Sequence, residues 1–188
     1  MKRTITFLIA LFFATSLAFS QAVEEGNKII SLDIGFPPTF GYGDVKVPPI
    51  SANFDYLLKK AGPGIIGVGA LAGYATSKEN LITWPAGTKD PDTYLTYTYI
   101  LLGARGTYHW FPGESDKIDT YAGVIMGAYI TPEPKYTGSA NITATYEGSG
   151  FLGGVFVGIR YFFNENIGVN AELGYGVAIM SIGGSFKF

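Results

Sequence analysis

Residues 150–188 read GFLGGVFVGIRYFFNENIGVNAELGYGVAIMSIGGSFKF, and this stretch decides the fold. Bulky apolar residues recur at alternating positions in three segments, near 150–162, 166–174 and 177–188. The intervening positions carry mostly Gly, Ser and Asn, with Arg160 and Glu172 among them. Alternation with a period of two, interrupted by residues that favour turns, predicts three antiparallel strands.

The same pattern recurs upstream near residues 27–36, 50–59, 64–76, 94–110 and 118–130, which predicts eight strands in all. Most are as long as the roughly 9–11 tilted residues that a strand needs to cross a bilayer. The connections at one end are predicted to be long (37–49, 77–93 and 131–149), and those at the other end are short (60–63, 112–117 and 164–166). This asymmetry is typical of outer-membrane barrels. We therefore predict an all-β fold, an eight-stranded antiparallel up-and-down transmembrane β-barrel.

The two faces of the predicted strands differ in charge. The charged strand residues fall on the face that is rich in glycine, and they are Asp33, Asp55, Arg105, Arg160, Glu172 and Lys187. An Arg or Lys that faces lipid at mid-bilayer costs about 2–4 kcal/mol, so this face is predicted to line the interior.

Side chains just fill the interior of an eight-stranded barrel, and buried charges need partners. We therefore expect the six charges to form a neutral interior network. Arg105 and Glu172 lie at similar heights in their predicted strands, so we expect them to form one pair. A gated ion path through rearranging salt bridges is the alternative.

Aromatic residues gather near the predicted strand ends, as in the interfacial girdles of membrane barrels. Tyr108, Trp110 and Tyr161 are expected at the interface on the side of the short turns, and Tyr175 at the opposite interface. Phe186 and Phe188 belong to the first group, and Phe36, Tyr74, Tyr94 and Phe151 to the second.

The N-terminus has the pattern of a signal peptide. Lys2 and Arg3 precede an apolar run from Ile5 to about Phe19, and Ala18-Phe19-Ser20 offers small residues at the two key positions of a cleavage site. We predict a signal peptide at 1–20 and one barrel domain at 21–188. The chain has 188 residues, 26 glycines, no cysteine and only 15% charged residues, against roughly 25% in soluble domains.

Four segments resemble a known family. They are Tyr121-Ala122-Gly123-Val124, Gly158-Ile159-Arg160-Tyr161, Ala171-Glu172-Leu173-Gly174-Tyr175-Gly176 and Ile182-Gly183-Gly184-Ser185-Phe186-Lys187-Phe188. In this order they resemble the eight-stranded OmpA/OmpX-type barrels, especially those of the Bacteroidota, over essentially the whole mature chain. The resemblance implies the outer membrane of a Gram-negative bacterium. A peptidoglycan-binding domain after the barrel is not expected.

The last strand, with Phe186 and Phe188, is similar to the C-terminal signal by which outer-membrane proteins are recognised for assembly. This similarity implies the barrel-assembly machinery as a partner, besides the lipids of the outer membrane. Removal of Lys2 and Arg3 leaves the mature chain mildly acidic, which argues against nucleic-acid partners.

His109 is the single histidine of the chain, so a metal site built on several histidines is excluded. A Ser-His-acid hydrolase would need this residue. Its predicted position, inward and near a strand end, favours a hydrogen-bonded structural role. We therefore predict no catalytic residue, no metal and no cofactor.

The pattern favours a structural or surface-interaction barrel whose outer loops, of unknown ligand, meet the environment. A narrow, porin-like diffusion channel is the first alternative, and a lipid-modifying barrel enzyme is the second. A soluble periplasmic barrel is disfavoured because the predicted outward face is apolar.

Overall fold

The computed structural model describes residues 22–40, 44–83, 88–110, 115–138 and 148–188, with the backbone alone over 81–83 and 88–92. The strands are β1 (Lys28–Pro38), β2 (Asp44–Ala61), β3 (Gly64–Thr83), β4 (Thr88–Trp110), β5 (Ile118–Thr131), β6 (Lys135–Thr137), β7 (Gly148–Phe162), β8 (Ile167–Gly174) and β9 (Ala178–Lys187). Within these ranges no helix is long and apolar enough to cross a membrane. The predicted signal peptide at 1–20 lies outside the described residues.

The eight long strands pair in a closed ring. Its order is β1–β2–β3–β4–β5–β7–β8–β9 and back to β1, and every neighbouring pair is antiparallel. Each long strand therefore lies beside the strands that precede and follow it in the chain. The predicted up-and-down architecture is confirmed. Closure gives every long strand a hydrogen-bonding partner on both sides over much of its length, which is what a strand in lipid requires.

The two rims of the ring differ. We call one of them the terminal rim. It contains residues 22–27, the turn at Gly62-Pro63, the turn at 163–166 and Phe188. At the opposite rim, which we call the extended rim, β3 and β4 remain paired as far as Thr83 and Thr88. There β6 adds to the outer edge of β4, where Tyr94 pairs with Thr137.

The predicted loops at 37–49 and 77–93 are wrong over much of their length, because 37–38, 44–49, 77–83 and 88–93 are strand. In the predicted loop at 131–149, residues 131, 135–137 and 148–149 are strand, and residues 41–43, 84–87 and 139–147 of the predicted loops lie outside the described residues. The register runs through Asp44 opposite Lys78 and Asn80 opposite Tyr94, so 77–80 are strand and pair with the beginning of the strand predicted at 94–110. Residues 77–80 are polar on both faces, and the alternation that marks a half-buried strand is missing there. In β2 the register slips between Val47 and Ile50, around Pro48-Pro49, because proline cannot donate a ladder hydrogen bond.

The predicted facing of the strands is confirmed. Outward residues keep large exposed fractions, 66% for Leu32 and 70% for Phe151, whereas Arg160 and His109 keep 0%. A water-soluble barrel buries its apolar residues, so this pattern is the reverse of a soluble one. The exposed apolar side chains form a band around the outside of the ring, which we call the apolar belt. It includes Ile30, Leu32, Ile34, Phe36, Ile50, Val68, Ile100, Leu102, Val124, Met126, Phe151, Val155, Val157, Ile159, Val169, Leu173, Met180 and Ile182.

Candidate functional site in the barrel interior

A cluster of ion pairs crosses the barrel interior. The inward positions of β2, β4, β5, β7 and β8 supply one charged side chain each, and this charge cluster consists of Asp55, Arg105, Asp119, Arg160 and Glu172. Strands alternate their side chains between two faces, so the parity that places Arg160 inside also places Val157 and Ile159 outside.

The two arginines link the three acids in one chain. Arg105 Nη2 lies 2.7 Å from Glu172 Oε1, the pair expected from the sequence, and Arg105 Nε lies 3.2 Å from Asp55 Oδ1. Arg160 Nη2 donates to the other oxygen of Asp55 at 2.6 Å, and Arg160 Nη1 donates to Asp119 Oδ2 at 3.1 Å. The planar guanidinium group suits this role because it presents several donors in fixed directions.

His109 extends the charge cluster towards the terminal rim. Its Nδ1 lies 2.8 Å from Asp119 Oδ1, and its Nε2 lies 3.1 Å from Thr107 Oγ1. The order acid, histidine, hydroxyl resembles that of a hydrolase triad. However, His109 and Asp119 are fully buried and Thr107 keeps 4% of its surface, so a substrate has no access to the hydroxyl. The arrangement is that of a hydrogen-bonded structural histidine.

Aromatic rings pack against the charge cluster. The Arg160 guanidinium lies 4.1 Å from the Tyr121 ring centroid, and the Arg105 guanidinium lies 4.3 Å from that of Phe156. Tyr121 also stacks on His109 at 5.3 Å and donates its hydroxyl to Glu172 Oε1 at 2.9 Å. Cation–π contacts of this kind are strongest where water is excluded. Tyr121 is thus held on three sides.

Asp33 belongs to a separate polar chain. Its two carboxylate oxygens accept from Asn170 Nδ2 at 2.6 Å and from Asn53 Nδ2 at 2.5 Å. Asn170 Oδ1 accepts from Ser185, whose hydroxyl pairs with that of Ser31. Among the described residues Asp33 has no ion pair within 4 Å. The structure therefore places Asp33 beside amides rather than in the predicted network of charges.

Lys187 also stands apart from the charge cluster. Its Nζ donates to the carbonyl oxygen of Ala22 at 2.6 Å and lies 4.8 Å from the Phe162 ring centroid. The residue is half-buried at the terminal rim. Its long side chain reaches the segment at 22–27, where its partner is a backbone carbonyl. Lys187 therefore does not join the predicted network of charges.

Two groups of apolar residues lie towards opposite rims, with the charges between them. At the terminal rim the lower plug consists of Ala22, Val23, Ile29, Leu57, Ile65 and Phe162. Towards the extended rim the upper plug consists of Leu71, Leu101, Tyr121, Ile125, Leu152, Phe156 and Val177, with Phe40, Tyr99 and Tyr129 packed against it. The chain N-terminal to β1 thus folds back into the ring, where Gly26 and Asn27 bond the backbone of Leu57.

Gly158 leaves room for the Tyr121 ring. A Cβ added at Gly158 would overlap the Tyr121 side chain, which its contacts with His109, Arg160 and Glu172 keep from moving. We expect Gly158→Ala to lower the free energy of unfolding by about 1–3 kcal/mol, the usual cost of overpacking. The measurement is urea unfolding in detergent micelles.

Gly106→Ala is the matched control for Gly158→Ala. A Cβ at outward-facing Gly106 would meet only Val124 Cγ2, at an ordinary 3.5 Å. We expect its unfolding free energy to stay within about 0.5 kcal/mol of the wild type. Equal losses in both variants would show that the interior is not tightly filled around Tyr121.

The predicted aromatic positions divide between the two rims. Tyr108, Trp110 and Tyr161 lie towards the terminal rim, where Tyr108 donates to the carbonyl of Ala61 and Tyr161 packs on Phe163. Phe186 and Phe188 stack there at 5.9 Å. Tyr175 is half-exposed at the extended rim. Tyr94 lies at the extended rim, where it pairs with Asn80 and Thr137.

Sequence reasoning missed Asp119 and Tyr121 as members of the interior. In β5 bulky residues occupy both faces, because Tyr121 and Ile125 point inward while Val124 and Met126 point outward. The alternation is therefore ambiguous in this strand. The pairing of Asp119 with Arg160 across β5 and β7 is the signal that would have found it, once the register was known.

No family model matches the sequence, and no curated protein matches it significantly. Among solved structures, the chain is similar to the N-terminal β-barrel domain of Pseudomonas aeruginosa OprF, with 14% identity and a TM-score of 0.48 over 87% of this chain and 98% of that one. It is also similar to the outer membrane protein Ail of Yersinia pestis in a phospholipid nanodisc, with 16% identity and a TM-score of 0.47 over 87% of this chain and 100% of Ail. Identities and scores this low say nothing about the ligands or partners of the present chain.

Proposed function

We propose that the protein is an integral outer-membrane β-barrel of a Gram-negative bacterium with a structural or surface-interaction role. The observation that carries the proposal is the apolar belt around a closed ring of strands. An exposed apolar surface this continuous is far larger than the patches that soluble monomers tolerate, and lipid is the solvent that suits it. The predicted signal peptide at 1–20 would deliver the chain to this location.

The orientation follows from the two rims. We place the terminal rim, with its tight turns, in the periplasm and the extended rim outside the cell, as in other barrels of this kind. The sheet formed by the outer parts of β2, β3 and β4 together with β6 would then stand outside the membrane. It is the part of the described chain that reaches furthest from the belt, and we propose it as the region that meets the surroundings.

The location is tested by extraction. We expect the protein to fractionate with outer membranes and to migrate faster on SDS gels unheated than heated, because a closed barrel resists SDS until it is boiled. Recovery in the soluble periplasmic fraction, with the same mobility before and after heating, would refute the membrane location.

The interior favours a sealed barrel over the alternative of a channel. The upper plug and the lower plug lie on either side of the charge cluster, and each arginine is tied to two carboxylates. An ion crossing the barrel would have to displace both plugs and shed its hydration among groups that are already paired.

We expect the reconstituted protein to show no steady conductance in planar bilayers. Because the two plugs fill the described interior on either side of the charge cluster, we expect the current to stay at the level of the protein-free bilayer. The control is a known porin inserted by the same procedure. A steady ohmic current that scales with the amount of inserted protein would instead support the channel.

A non-catalytic role is part of the proposal. The single histidine is buried and engaged by Asp119 and Thr107, so it is not placed to act as the general base that the lipid-modifying alternative would draw from it. His109→Ala should leave the lipid composition of the outer membrane unchanged. A change in acylation that depends on His109 would overturn this part.

A further inference from the structure

We propose that the segment at 22–26, which we call the strap, seals the terminal rim of the barrel, and that Lys187 is the residue that latches it. The strap precedes β1 and turns back into the mouth of the ring, where Ala22 keeps 1% and Val23 0% of its surface. It would thus close one end of the sealed barrel proposed above, on which this assignment rests.

The seat of the strap comes from strands around the ring. The residues that pack with Ala22 and Val23 in the lower plug are Ile29 on β1, Leu57 on β2, Ile65 on β3 and Phe162 on β7. Strand β7 pairs with none of the other three, so the strap helps to join strands that backbone pairing leaves apart. Without Ala22 and Val23, the apolar side chains of the seat would face the solvent at this rim.

Hydrogen bonds hold the strap at its two ends. At the end nearest β1, Gly26 N donates to Leu57 O at 2.8 Å, and Glu25 Oε2 accepts from the amide of Lys60 at 3.2 Å. At the other end, the carbonyl oxygen of Ala22 accepts from Lys187 Nζ at 2.6 Å. Lys187 therefore fixes the end of the strap that lies furthest from β1.

The chain conformation and the chemistry of Lys187 both suit this arrangement. Gly26 has a φ of +90°, a conformation that favours glycine, and it lies where the chain turns from the strap towards β1. The Lys187 ammonium group lies 4.8 Å from the Phe162 ring centroid, so it contacts the seat as well as the strap. A hydrogen bond from a charged donor is stronger than one between neutral groups.

The strap shields one side of the charge cluster. Ile65 pairs with His109 across β3 and β4, so the lower plug borders the histidine directly. His109 contacts Asp119, which also accepts from Arg160. Attraction between such charges weakens when water enters. Release of the strap would therefore give solvent access to the buried charges from the terminal rim alone, while the upper plug still closes the other side.

The test is the labelling of single cysteines by a charged, water-soluble maleimide in the full mature protein in detergent micelles. The chain has no cysteine of its own, so Ile65→Cys reports on the lower plug and Ile125→Cys on the upper plug. We expect both reporters to label slowly when the strap is intact. Heat-dependent mobility on SDS gels checks that each variant has folded.

Two substitutions release the strap. Lys187→Met should speed labelling at Ile65→Cys about tenfold, the effect of losing one hydrogen bond from a charged donor. Val23→Asp should speed it further, because an apolar seat excludes a carboxylate. Labelling at Ile125→Cys should not change. Lys28→Met is the matched control, because it removes an exposed lysine at the same rim.

The outcomes separate the strap from the sealed barrel. Fast labelling of both reporters with the strap intact would refute the sealed barrel itself. Slow labelling at Ile65→Cys in Lys187→Met and Val23→Asp would leave the barrel sealed but show that the strap is not the seal. Equal effects of Lys187→Met and Lys28→Met would refute the latch. Faster labelling of both reporters in the variants would mean that the whole barrel loosens, which also contradicts the proposal. If Val23→Asp fails to fold, Val23→Thr takes its place with a smaller expected acceleration.

Discussion

Replacing Arg160 with methionine is expected to lower the free energy of unfolding by about 3–5 kcal/mol, the cost of stranding buried charges. The fully buried guanidinium donates to Asp55 at 2.6 Å and to Asp119 at 3.1 Å. Methionine fills much of the same volume but leaves both carboxylates without this partner. The measurement is urea unfolding of the protein in lipid vesicles, followed by tyrosine and tryptophan fluorescence.

Lys135→Met is the matched control, since it removes one positive charge from the exposed strand β6. We expect an effect within about 0.5 kcal/mol. Adding Asp55→Asn and Asp119→Asn to Arg160→Met should recover part of the lost stability, because the stranded charges are then gone. Equal stability of Arg160→Met and Lys135→Met would show that the charge cluster does not hold the interior together.

Placing an arginine at Val124 is expected to destabilise the barrel in a bilayer by about 2–4 kcal/mol, the depth-dependent cost measured for lipid-facing Arg or Lys. Val124 lies midway along β5, pairs with Gly106 and Val155, and keeps 51% of its surface exposed. In a water-soluble barrel the same substitution at an exposed position would be nearly neutral. The measurement is equilibrium unfolding from phospholipid vesicles.

Thr137→Arg provides the control for Val124→Arg. Thr137 is equally part of a strand and exposed, but it lies on β6 outside the apolar belt. Its substitution should change the unfolding free energy by less than about 0.5 kcal/mol. If both arginine variants are as stable as the wild type, lipid does not surround the belt.

The facing of most strands follows from the sequence because it depends on one local rule. In β7, Val155, Val157 and Ile159 alternate with Gly154, Gly158 and Arg160, and no tertiary information is needed to separate the two faces. A charge in lipid costs more than a charge among partners, so the side that carries Arg160 had to be the inside. The pairing of Arg105 with Glu172 followed from rough strand heights alone.

The polar ends of the strands did not follow from the sequence. Residues 77–80 pair with 94–97 through their backbones and need no apolar face, so the side chains of 77–80 carry no period. The lower plug could not be predicted from the sequence either, because Ala22 and Val23 become core residues only when the chain folds back against Ile29 and Leu57. Such contacts depend on the closed ring and cannot be read from neighbours in sequence.

The interior network was predicted only in part for a similar reason. Asp119 lies in a strand whose two faces are both apolar, and its role depends on the register that sets it opposite Arg160. Asp33 was correctly placed inside, but its partners are the amides of Asn53 and Asn170. A pattern of charged residues in the sequence cannot reveal these partners, because the amides are uncharged.

The central claim is that the apolar belt faces lipid, and spin-label accessibility tests it most directly. The chain has no cysteine, so single cysteines at Val124, Val157 and Thr137 carry one nitroxide each without further changes. In phospholipid vesicles, we expect the labels at Val124 and Val157 to be relaxed by oxygen, which concentrates in lipid, and the label at Thr137 by a water-soluble nickel complex. Relaxation of all three labels by the nickel complex alone would contradict the account and make the protein a soluble barrel.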